Sequence, residues 1–361
     1  MTSKLYTNIL ITGGCGFIGS NLALRMKGVY PNATITAFDN FSRTGSKLNR
    51  PRLEKRGIMV VEGDVRNREQ LENLSANLVL DCAAEPSVLA GRDGTPLYVT
   101  DVNLGGTLNC LELARKQKAD FVFLSSSRIY PIERINALAW EEKETQFTLS
   151  AKQSTAGASE LGIAEEFTLE GTRTLYGATK LASELFVQEF ISAFGIRGVI
   201  NRCGVIAGPW QFGKVDQGFI PLWVARHVFG GHLTYIGYEG KGKQVRDVLH
   251  VDDLCAAVVL QLEHMDEVNG QVFNLGGGLQ NTVSLVELTK LCRTVTGADV
   301  PADVVVEGRP DDIRFYITDY RKFAKLFGWK PEKNIEQVVQ DTYTWMKENA
   351  EALRPLFATT P

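Results

Sequence analysis

Short hydrophobic stretches alternate with amphipathic helical patterns through the first two hundred residues of this chain. Each stretch is rich in β-branched and aromatic residues, and apolar positions at helical spacing follow it. The predicted strands are 8–12, 34–38, 58–63, 78–82, 121–126 and 198–202. This alternation of buried strands and helices predicts an α/β fold, a doubly wound parallel sheet covered by helices on both faces.

The pattern changes after Gly208-Pro209, where loops with aromatic residues replace the regular alternation. The apolar spacing there predicts further elements: helices at 217–229, 252–264, 284–296 and 333–348 and a strand at 245–251. A smaller C-terminal α/β region is therefore expected beside the sheet. The segment 131–173 is long and polar without clear periodicity, and one interpretation is an insertion that lies over a site.

Composition narrows the classes of partner. The chain has 361 residues, 44% of them hydrophobic, and a formal charge of -3 without blocks of one sign. It therefore lacks the charged surface expected for binding nucleic acid or an anionic membrane, and a small-molecule ligand is favoured. The six cysteines show no Cys-x-x-Cys spacing, and we predict no metal site. No apolar run approaches the roughly 18 residues that a membrane span needs. We expect a cytoplasmic protein.

A glycine-rich turn follows the first predicted strand. Gly13, Gly16 and Gly19 have the spacing Gly-x-x-Gly-x-x-Gly and run into a helical pattern, which suits a pyrophosphate held at a helix N-terminus. Asp39 follows Gly19 by 20 residues, where a carboxylate accepts hydrogen bonds from the adenosine ribose. This arrangement predicts a Rossmann-type NAD site and disfavours the 2′-phosphate of NADP. Arg43, four residues on, argues the other way.

Tyr176 and Lys180 lie four positions apart, on one face of a predicted helix. A solvated surface pair is the alternative, and the chain contains the same spacing at Tyr343 and Lys347. The helix of the first pair leads into the sixth predicted strand. Its beginning therefore lies at the carboxyl edge of the sheet, where the glycine-rich turn also lies. That context favours Tyr176 and Lys180 as catalytic residues and a structural role for the second pair.

Further motifs accompany these features: "DCAA" (81–84), "VNLGGT" (102–107), Ser126, "GP" (208–209) and "VRDVLHVDDL" (245–254). Together with the glycines, Asp39, Tyr176 and Lys180, they resemble the extended short-chain dehydrogenase/reductase superfamily over nearly the full chain. The resemblance implies that Tyr176 removes a hydroxyl proton as hydride leaves for NAD. It also implies that Lys180 lowers the pKa of the phenol and holds the nicotinamide ribose, and that Ser126 binds the reacting oxygen.

The resemblance also assigns binding residues. Further cofactor contacts are expected at Phe17, Ile18, Asn40, Arg43, Asp64, Val65, Ala83, Ala84, Asn103 and Cys203. A strand-end turn is the alternative for Asp64-Val65, an ordinary turn or helix cap for Asn103, and a packing role for Cys203. Nucleotide-sugar contacts are expected at Glu85, Ser126, Ser127, Gln217, Lys243, Arg246, Arg309 and Asp311. An ion pair with Asp247 is the alternative for Arg246, a packing or loop role for Glu85, and a solvated surface for Gln217, Lys243, Arg309 and Asp311.

Among branches of the superfamily, the chain resembles most the CDP-paratose (CDP-tyvelose) 2-epimerases, through "TLYGATKLASEL" (174–185), residues 201–218 and residues 273–285. Sugar-nucleotide 4,6-dehydratases carry Thr-Asp-Glu where this chain has Ser126-Ser127-Arg128, and 4-epimerases usually carry Asn where it has Val205. A UDP-hexose 4-epimerase or a nucleotide-sugar 4-reductase is the alternative enzyme, and an inactive NAD-binding sensor is the alternative from another class.

The expected domains follow from these assignments. Residues 1–203 with about 245–275 form the NAD-binding domain, and residues 204–244 with 276–361 form the nucleotide-sugar-binding domain. The helices that begin near Thr107 and Leu175 carry more apolar residues than one buried stripe needs. We therefore expect a homodimer or homotetramer, with a helix covered on both sides within one subunit as the alternative.

Overall fold

The computed structural model describes residues 6–92, 95–213, 218–309 and 311–358. The strands are β1 (Asn8–Thr12), β2 (Thr34–Asp39), β3 (Met59–Glu62), β4 (Leu78–Asp81), β5 (Asp120–Ser126), β6 (Trp140–Glu142), β7 (Phe147–Leu149), β8 (Ala158–Ser159), β9 (Gly162–Ile163), β10 (Gly198–Cys203), β11 (Val205–Ala207), β12 (Leu233–Ile236), β13 (Val245–His250), β14 (Val272–Leu275), β15 (Thr282–Ser284), β16 (Ala302–Val305) and β17 (Phe315–Tyr316). The helices are α1 (Phe17–Val29), α2 (Asn49–Glu54), α3 (Arg68–Glu72), α4 (Pro96–Thr100), α5 (Gly106–Gln117), α6 (Ile132–Asn136), α7 (Leu175–Phe194), α8 (Phe219–Phe229), α9 (Val251–Glu263), α10 (Met265–Val268), α11 (Leu285–Thr296), α12 (Arg321–Phe327), α13 (Ile335–Glu348) and α14 (Ala350–Ala358).

Within those ranges, seven strands form one parallel sheet in the order β3-β2-β1-β4-β5-β10-β14. Every residue of β4 and β5 is buried, as expected for strands covered on both faces. The chain moves outward from β1 through β2 to β3 and then returns to place β4 on the other side of β1. Such a reversal opens a crevice at the carboxyl ends of the strands, where ligands bind. The predicted fold class is confirmed.

The chain divides into two compact units. The first comprises Met1–Ile129, Thr174–Arg202 and Cys255–Phe273, and contains most of the large sheet. The second comprises Tyr130–Arg173, Cys203–Leu254 and Asn274–Pro361. It contains the strands β11, β13, β15 and β17, the small parallel pair β12 and β16, and the packed helices α8, α11 and α13.

The segment Tyr130–Arg173 belongs to the second unit, whereas the sequence-based division placed it in the first. Main-chain hydrogen bonds explain the difference. Ile163 donates its N–H to the carbonyl of Ile317, and Phe147 donates to the carbonyl of Lys243. Two short antiparallel hairpins, β6 with β7 and β8 with β9, give the segment its own structure. It is therefore an integral part of the second unit.

Two further expectations concern the chain as a whole. Across the described ranges, no helix is both long enough and apolar enough to cross a bilayer. The cysteines are free thiols, and burial raises the pKa of Cys15 and Cys292 to about 12. Thiols in this condition behave as small hydrophobic side chains, because the reactive thiolate is not formed.

Candidate functional site

The glycine-rich turn packs too closely for side chains. Gly13 adopts a positive φ of +59°, and a Cβ at Gly19 would lie 2.2 Å from the carbonyl oxygen of Gly13. Helix α1 begins immediately after Gly16, and in this part of the described chain no side chain caps its first turn. The N–H groups at Phe17 and Ile18 therefore stand at an uncapped, positive helix end. A turn of this shape fits a dinucleotide pyrophosphate.

Asp39 ends β2 and faces this turn. Its carboxylate is 9% exposed and accepts hydrogen bonds from the backbone N–H groups of Cys15 (3.0 Å) and Phe41 (2.8 Å). Burial raises the pKa of Asp39, and these backbone hydrogen bonds oppose the rise. The carboxylate thus fixes the glycine-rich turn against the second strand. A negative group at this point disfavours a 2′-phosphate, which supports the prediction of NAD.

Two pairs of predicted residues contact each other beside the turn. Asn40 donates from Nδ2 to Asp64 at 2.9 Å, and the Arg66 guanidinium beside Asp64 holds the pKa of that carboxyl down at about 2. Arg43 lies 3.4 Å from Oε1 of Glu85, so the residue that argued for NADP has a carboxylate partner. Charge compensation by Glu85 weakens Arg43 as a ligand for a 2′-phosphate.

Buried hydroxyls and carboxylates join the ends of β1 and β4. Thr12 donates to Oδ1 of Asp81 at 2.7 Å, and Thr107 donates to Oδ2 at 2.8 Å. Thr12 also accepts from the backbone N–H groups of Cys82 and Ala83 at 3.2 Å. Ala83 and Ala84 are half-buried in the loop that follows β4, opposite Gly13. The Asp81 carboxylate thus links β4 to β1 and α5. The sequence alone did not identify this structural role.

Asn103 lies in a short π-helical turn that leads into α5, a geometry that recurs at functional sites. Its side chain accepts from the backbone N–H of Glu85 (2.7 Å) and donates to the Glu85 carbonyl and to Thr179 on α7. Asn103 therefore joins the loop after β4 to the N-terminal part of α7. Val65 is buried nearby, with Asn109 bound to its carbonyl. These contacts leave the cofactor roles of Asn103 and Val65 as predictions.

Helix α7 presents Tyr176 and Lys180 on a buried face. Thr174 caps the helix by accepting from the N–H of Gly177, and α7 packs on β5 and on the turn that begins at Ser127. Tyr176 is 9% exposed and Lys180 only 2%. The Lys180 ammonium lies 4.4 Å from the centroid of the Phe123 ring on β5, a cation–π contact. Burial of an ammonium is costly, so a solvated surface pair does not describe these residues.

Ser126 is the last residue of β5 and is 9% exposed. Its Oγ accepts from the N–H of Arg128 at 3.2 Å, which holds the strand end in a tight turn through Ser127. Ser126 and Tyr176 therefore lie on two elements that pack against each other within the first unit. This arrangement can place a hydroxyl and a phenol around one reacting oxygen.

The predicted substrate residues Lys243, Arg246, Arg309 and Asp311 all belong to the second unit. Lys243 donates to Glu142 at 2.8 Å, and Arg246 donates to Asp312 at 3.1 Å. Asp247, the partner weighed for Arg246, is instead fully buried and accepts from the N–H of Gly278.

The remaining positions in this region are placed as follows. Arg309 and Asp311 are half-buried in one loop, and Asp311 has a positive φ of 61°. Cys203 ends β10 and is buried, and Gln217 lies outside the described residues. Among the described residues, no group of three or more His, Cys, Asp or Glu side chains could hold a metal ion.

A buried ion pair that α7 contributes to was not predicted from the sequence. Glu184, on α7, accepts from Arg202 at 2.8 Å and from the hydroxyl of Ser125 at 2.5 Å. The signal was present in the spacing, since Glu184 stands four residues after Lys180 and eight after Tyr176 on the same helical face. A charged residue in that register, on a helix face otherwise buried, is a candidate for an ion pair.

Comparison with known proteins gives the family. Residues 9–276 match the model of the NAD dependent epimerase/dehydratase family. The chain is 30% identical to CDP-paratose 2-epimerase of Salmonella typhi over 346 residues, which covers 93% of this chain and 98% of that protein. The extended short-chain dehydrogenase/reductase resemblance predicted from the motifs is confirmed.

Solved structures agree with this assignment. The structure of UDP-glucose 4-epimerase with UDP-glucose from Thermotoga maritima is 25% identical and matches with a TM-score of 0.77, over 95% of this chain and 100% of that one. The dTDP-glucose 4,6-dehydratase from Bacillus anthracis in complex with NAD is 27% identical, with a TM-score of 0.75 over 97% and 99%. The predicted NAD dependence and nucleotide-sugar epimerase class are confirmed. The chain belongs to the NAD-dependent epimerase/dehydratase family.

Proposed function

We propose that this enzyme epimerises carbon 2 of a CDP-linked hexose, by oxidation to a ketone and reduction on the opposite face. The observation that carries epimerisation rather than dehydration is Ser127-Arg128 directly after Ser126. Elimination of water needs an acid and a base, and the resemblance locates them at these two positions in the dehydratases. The full-length similarity to a CDP-paratose 2-epimerase, and Val205 in place of the usual 4-epimerase Asn, support carbon 2 and the cytidine nucleotide.

The chain's own residues divide the work. Tyr176 takes the proton of the sugar hydroxyl and returns it after the sugar has turned. Lys180 favours the phenolate, because an ammonium beside a phenol lowers its pKa from the ordinary value of about 10. Ser126 donates a hydrogen bond to the oxygen at which charge changes. Bound NAD supplies a reversible acceptor for the hydride of carbon 2.

In this proposal, residues of the second unit bind the nucleotide. Arg246 carries a planar guanidinium suited to a diphosphate, and Lys243 adds a second positive charge. Both are paired with carboxylates of the same unit, Asp312 and Glu142. These ion pairs hold the two side chains in place, and, as at Arg43, each carboxylate also offsets part of the positive charge.

A labelled substrate tests the reaction. CDP-paratose deuterated at carbon 2 is incubated with the enzyme in ordinary water, and the product is read by NMR and mass spectrometry. The epimer is expected to keep its deuterium at carbon 2, because the same hydride returns. Entry of solvent hydrogen at carbon 2 would contradict the mechanism, since it indicates proton abstraction beside a carbonyl.

A panel of CDP-, UDP- and GDP-hexoses tests the substrate. Inversion at carbon 4 of a UDP-hexose would replace the carbon 2 assignment but keep the hydride mechanism. In a separate reaction with a nucleotide-linked 4-keto sugar and added NADH or NADPH, a reduced sugar formed together with an equal amount of oxidised cofactor would indicate a 4-reductase. A dTDP-hexose added to the panel tests dehydration, because loss of water from the sugar would be detected directly by mass spectrometry.

We also propose that the subunits pair through α5 and α7. Three large apolar side chains of α7 stand exposed: Leu185 at 60%, Phe186 at 42% and Phe194 at 54%. A patch of this kind supports an interface between copies of the chain. Sedimentation at micromolar concentration should give a dimer or tetramer, and Leu185→Glu should shift it toward monomer. A monomeric wild type would contradict the proposal.

A further inference from the structure

Two carboxylate–arginine clusters lie at the two ends of strand β5, one fully buried and one with a partly exposed arginine. At the carboxyl end, Glu184 accepts from Arg202 (Nε at 3.1 Å and Nη2 at 2.8 Å to Oε2) and from the Ser125 hydroxyl at 2.5 Å. The three residues are 1%, 5% and 4% exposed. At the amino end, Asp120 accepts from Arg197 at 2.5 Å and from the Tyr6 hydroxyl at 2.6 Å.

The carboxyl-end cluster joins three elements of the active site. Glu184 lies one helical turn beyond Lys180 and two beyond Tyr176, so one face of α7 carries all three side chains. Ser125 directly precedes Ser126 on β5, and Arg202 is the last residue but one of β10. A single carboxylate therefore ties the helix of the predicted base to the strand of the predicted hydroxyl.

An ion pair this deeply buried is poorly explained by stability alone. Removing two charges from water costs several kcal/mol, and apolar residues of similar volume often stabilise a core as well or better. What the pair provides is geometry, because the carboxylate must keep its three donors or remain buried and uncompensated. Such a site permits one register between α7 and β5.

We propose that Glu184 is a positioning residue for the reaction. Through Ser125 and Arg202 it fixes the register of α7 on β5, and so holds Tyr176 and Lys180 relative to Ser126 and Phe123. This inference rests on the proposed function for the roles of Tyr176, Lys180 and Ser126. It adds a residue that touches neither the sugar nor the cofactor in the proposed mechanism.

The matched pair of variants is Glu184→Gln and Asp120→Asn. Each removes one buried carboxylate charge that faces an arginine, Arg202 within β10 or Arg197 directly before it. Each is expected to lower the thermal midpoint, Asp120→Asn by less because Arg197 keeps its ion pair with Asp266. Glu184→Gln should lower kcat about 30-fold with KM within about 3-fold, since a displacement of 1 Å at a reacting group costs up to about 100-fold. Asp120→Asn should leave both constants within about 2-fold.

A milder variant covers the case in which Glu184→Gln does not fold. Ser125→Ala removes one hydrogen bond and keeps the ion pair, and should lower kcat about 3- to 10-fold. A double-mutant cycle then identifies the route: in a Ser126→Ala background, Ser125→Ala should cost clearly less than in wild type. Normal kcat in Ser125→Ala, an equal loss of kcat in Asp120→Asn, or additive effects in the cycle would each overturn the proposal.

A substrate-free measurement separates this inference from the proposed function. The ultraviolet absorbance of the Tyr176 phenolate is titrated in each protein against its Tyr176→Phe counterpart. Loss of the Glu184 charge acting directly would lower the pKa of the phenol. A displaced helix should raise it, because Lys180 released from Phe123 turns its ammonium into solvent and away from the phenol. A raised pKa in Glu184→Gln, absent in Asp120→Asn, supports positioning, and an unchanged or lowered pKa overturns it. If wild type turns over none of the hexose panel, the proposed function fails and this titration still decides the role of Glu184.

Discussion

The chain contains two Tyr-x-x-x-Lys helices that differ in where the ammonium goes. In α7, Lys180 is 2% exposed and reaches across to the Phe123 ring of β5. In α13, Lys347 is exposed and lies 5.4 Å from the ring of Tyr343, the tyrosine of its own helix. The comparison teaches that spacing provides only a shared helical face. The neighbouring element decides whether the lysine on that face is buried against a strand or remains exposed.

Local sequence does not separate the two helices. Each starts with a side-chain cap: Thr174 accepts from the N–H of Gly177, and Asn334 accepts from the N–H of Gln337. The difference is topological, because α7 connects β5 to β10 in the parallel sheet and so opens on its carboxyl edge. In contrast, α13 packs on α8 and α11 in the second unit, a structural role.

The largest expected contrast is between the two tyrosines. Tyr176→Phe should lower kcat at least about 1,000-fold with nucleotide-sugar binding near wild type, because it removes the only group assigned to proton transfer. Tyr343→Phe should stay within about 2-fold. Steady-state kinetics and calorimetric titration measure both. Full activity in Tyr176→Phe would end the catalytic assignment.

The two lysines give the next contrast. Lys180→Met should lower kcat about 100-fold and weaken NAD binding, since the lysine both lowers the phenol pKa and holds the nicotinamide ribose in the proposed mechanism. Lys347→Met should change neither quantity. Cofactor retention after dialysis, followed by denaturation and chromatography, checks the second effect. Equal retention of NAD in both variants would leave Lys180 with only one of its two roles.

The structural role of α13 predicts a pH dependence of stability. His250 is 1% exposed, and its Nε2 lies 3.4 Å from Asp341 on α13. Burial lowers the pKa of His250 to about 4. The Lys333 ammonium also lowers this pKa, whereas the carboxylates of Asp252 and Asp341 raise it. The unfolded chain, with an ordinary histidine pKa of about 6.5, binds more protons than the folded chain between these values. Stability from this group is therefore complete above the unfolded pKa and lost as pH falls toward the folded pKa.

Between about pH 7.5 and about pH 5 the loss should amount to about 2 kcal/mol. Urea unfolding followed by tryptophan fluorescence measures it. His250→Asn keeps an acceptor for the N–H of Asp252 but cannot titrate, so its unfolding midpoint should fall less between the two pH values. An equal fall in the variant would show that other groups dominate the acid sensitivity.

The smallest effect compares the two caps. Thr174→Ala and Asn334→Ala should each destabilise their helix by about 1 kcal/mol, because each leaves one N–H of the first turn without its side-chain acceptor. Similar shifts in the urea midpoint would support the view that the helices are locally equivalent. A much larger shift for Thr174→Ala would instead place part of the difference in helix formation itself.

Much of the first unit is predictable because its signals are local. The predicted strands agree with β1, β2, β3, β4, β5 and β10 to within a residue or so at each end. The glycine spacing marks a turn in which a side chain at position 19 would clash with the carbonyl of Gly13. Tyr176 and Lys180 were distinguished from the second pair by strand order alone. Periodicity and turn chemistry act within a few residues, which is the range that a single sequence reveals.

The remaining features depend on contacts between distant residues. The spacing of Glu184 from Tyr176 and Lys180 indicates a shared helical face, but it does not identify the partner Ser125, which lies 59 positions away. Apolar residues in the segment Tyr130–Arg173 follow no helical or strand periodicity. Its structure depends on main-chain hydrogen bonds to distant residues such as Lys243 and Ile317. Asp81 likewise gains its role only when Thr12 and Thr107 converge on it. No pattern within a short window contains this information.

The strand order has a consequence for biosynthesis. β5 ends at Ser126, its neighbour β10 begins at Gly198, and the outer strand β14 begins at Val272. At a translation rate of roughly 5–20 residues per second, the growing chain holds an unpaired β5 edge for several seconds or more. Such an edge is a template for pairing with another nascent chain. The β5 edge therefore stays open to wrong pairing until β10 has left the ribosome, and stalling within the 130–173 segment would prolong that interval.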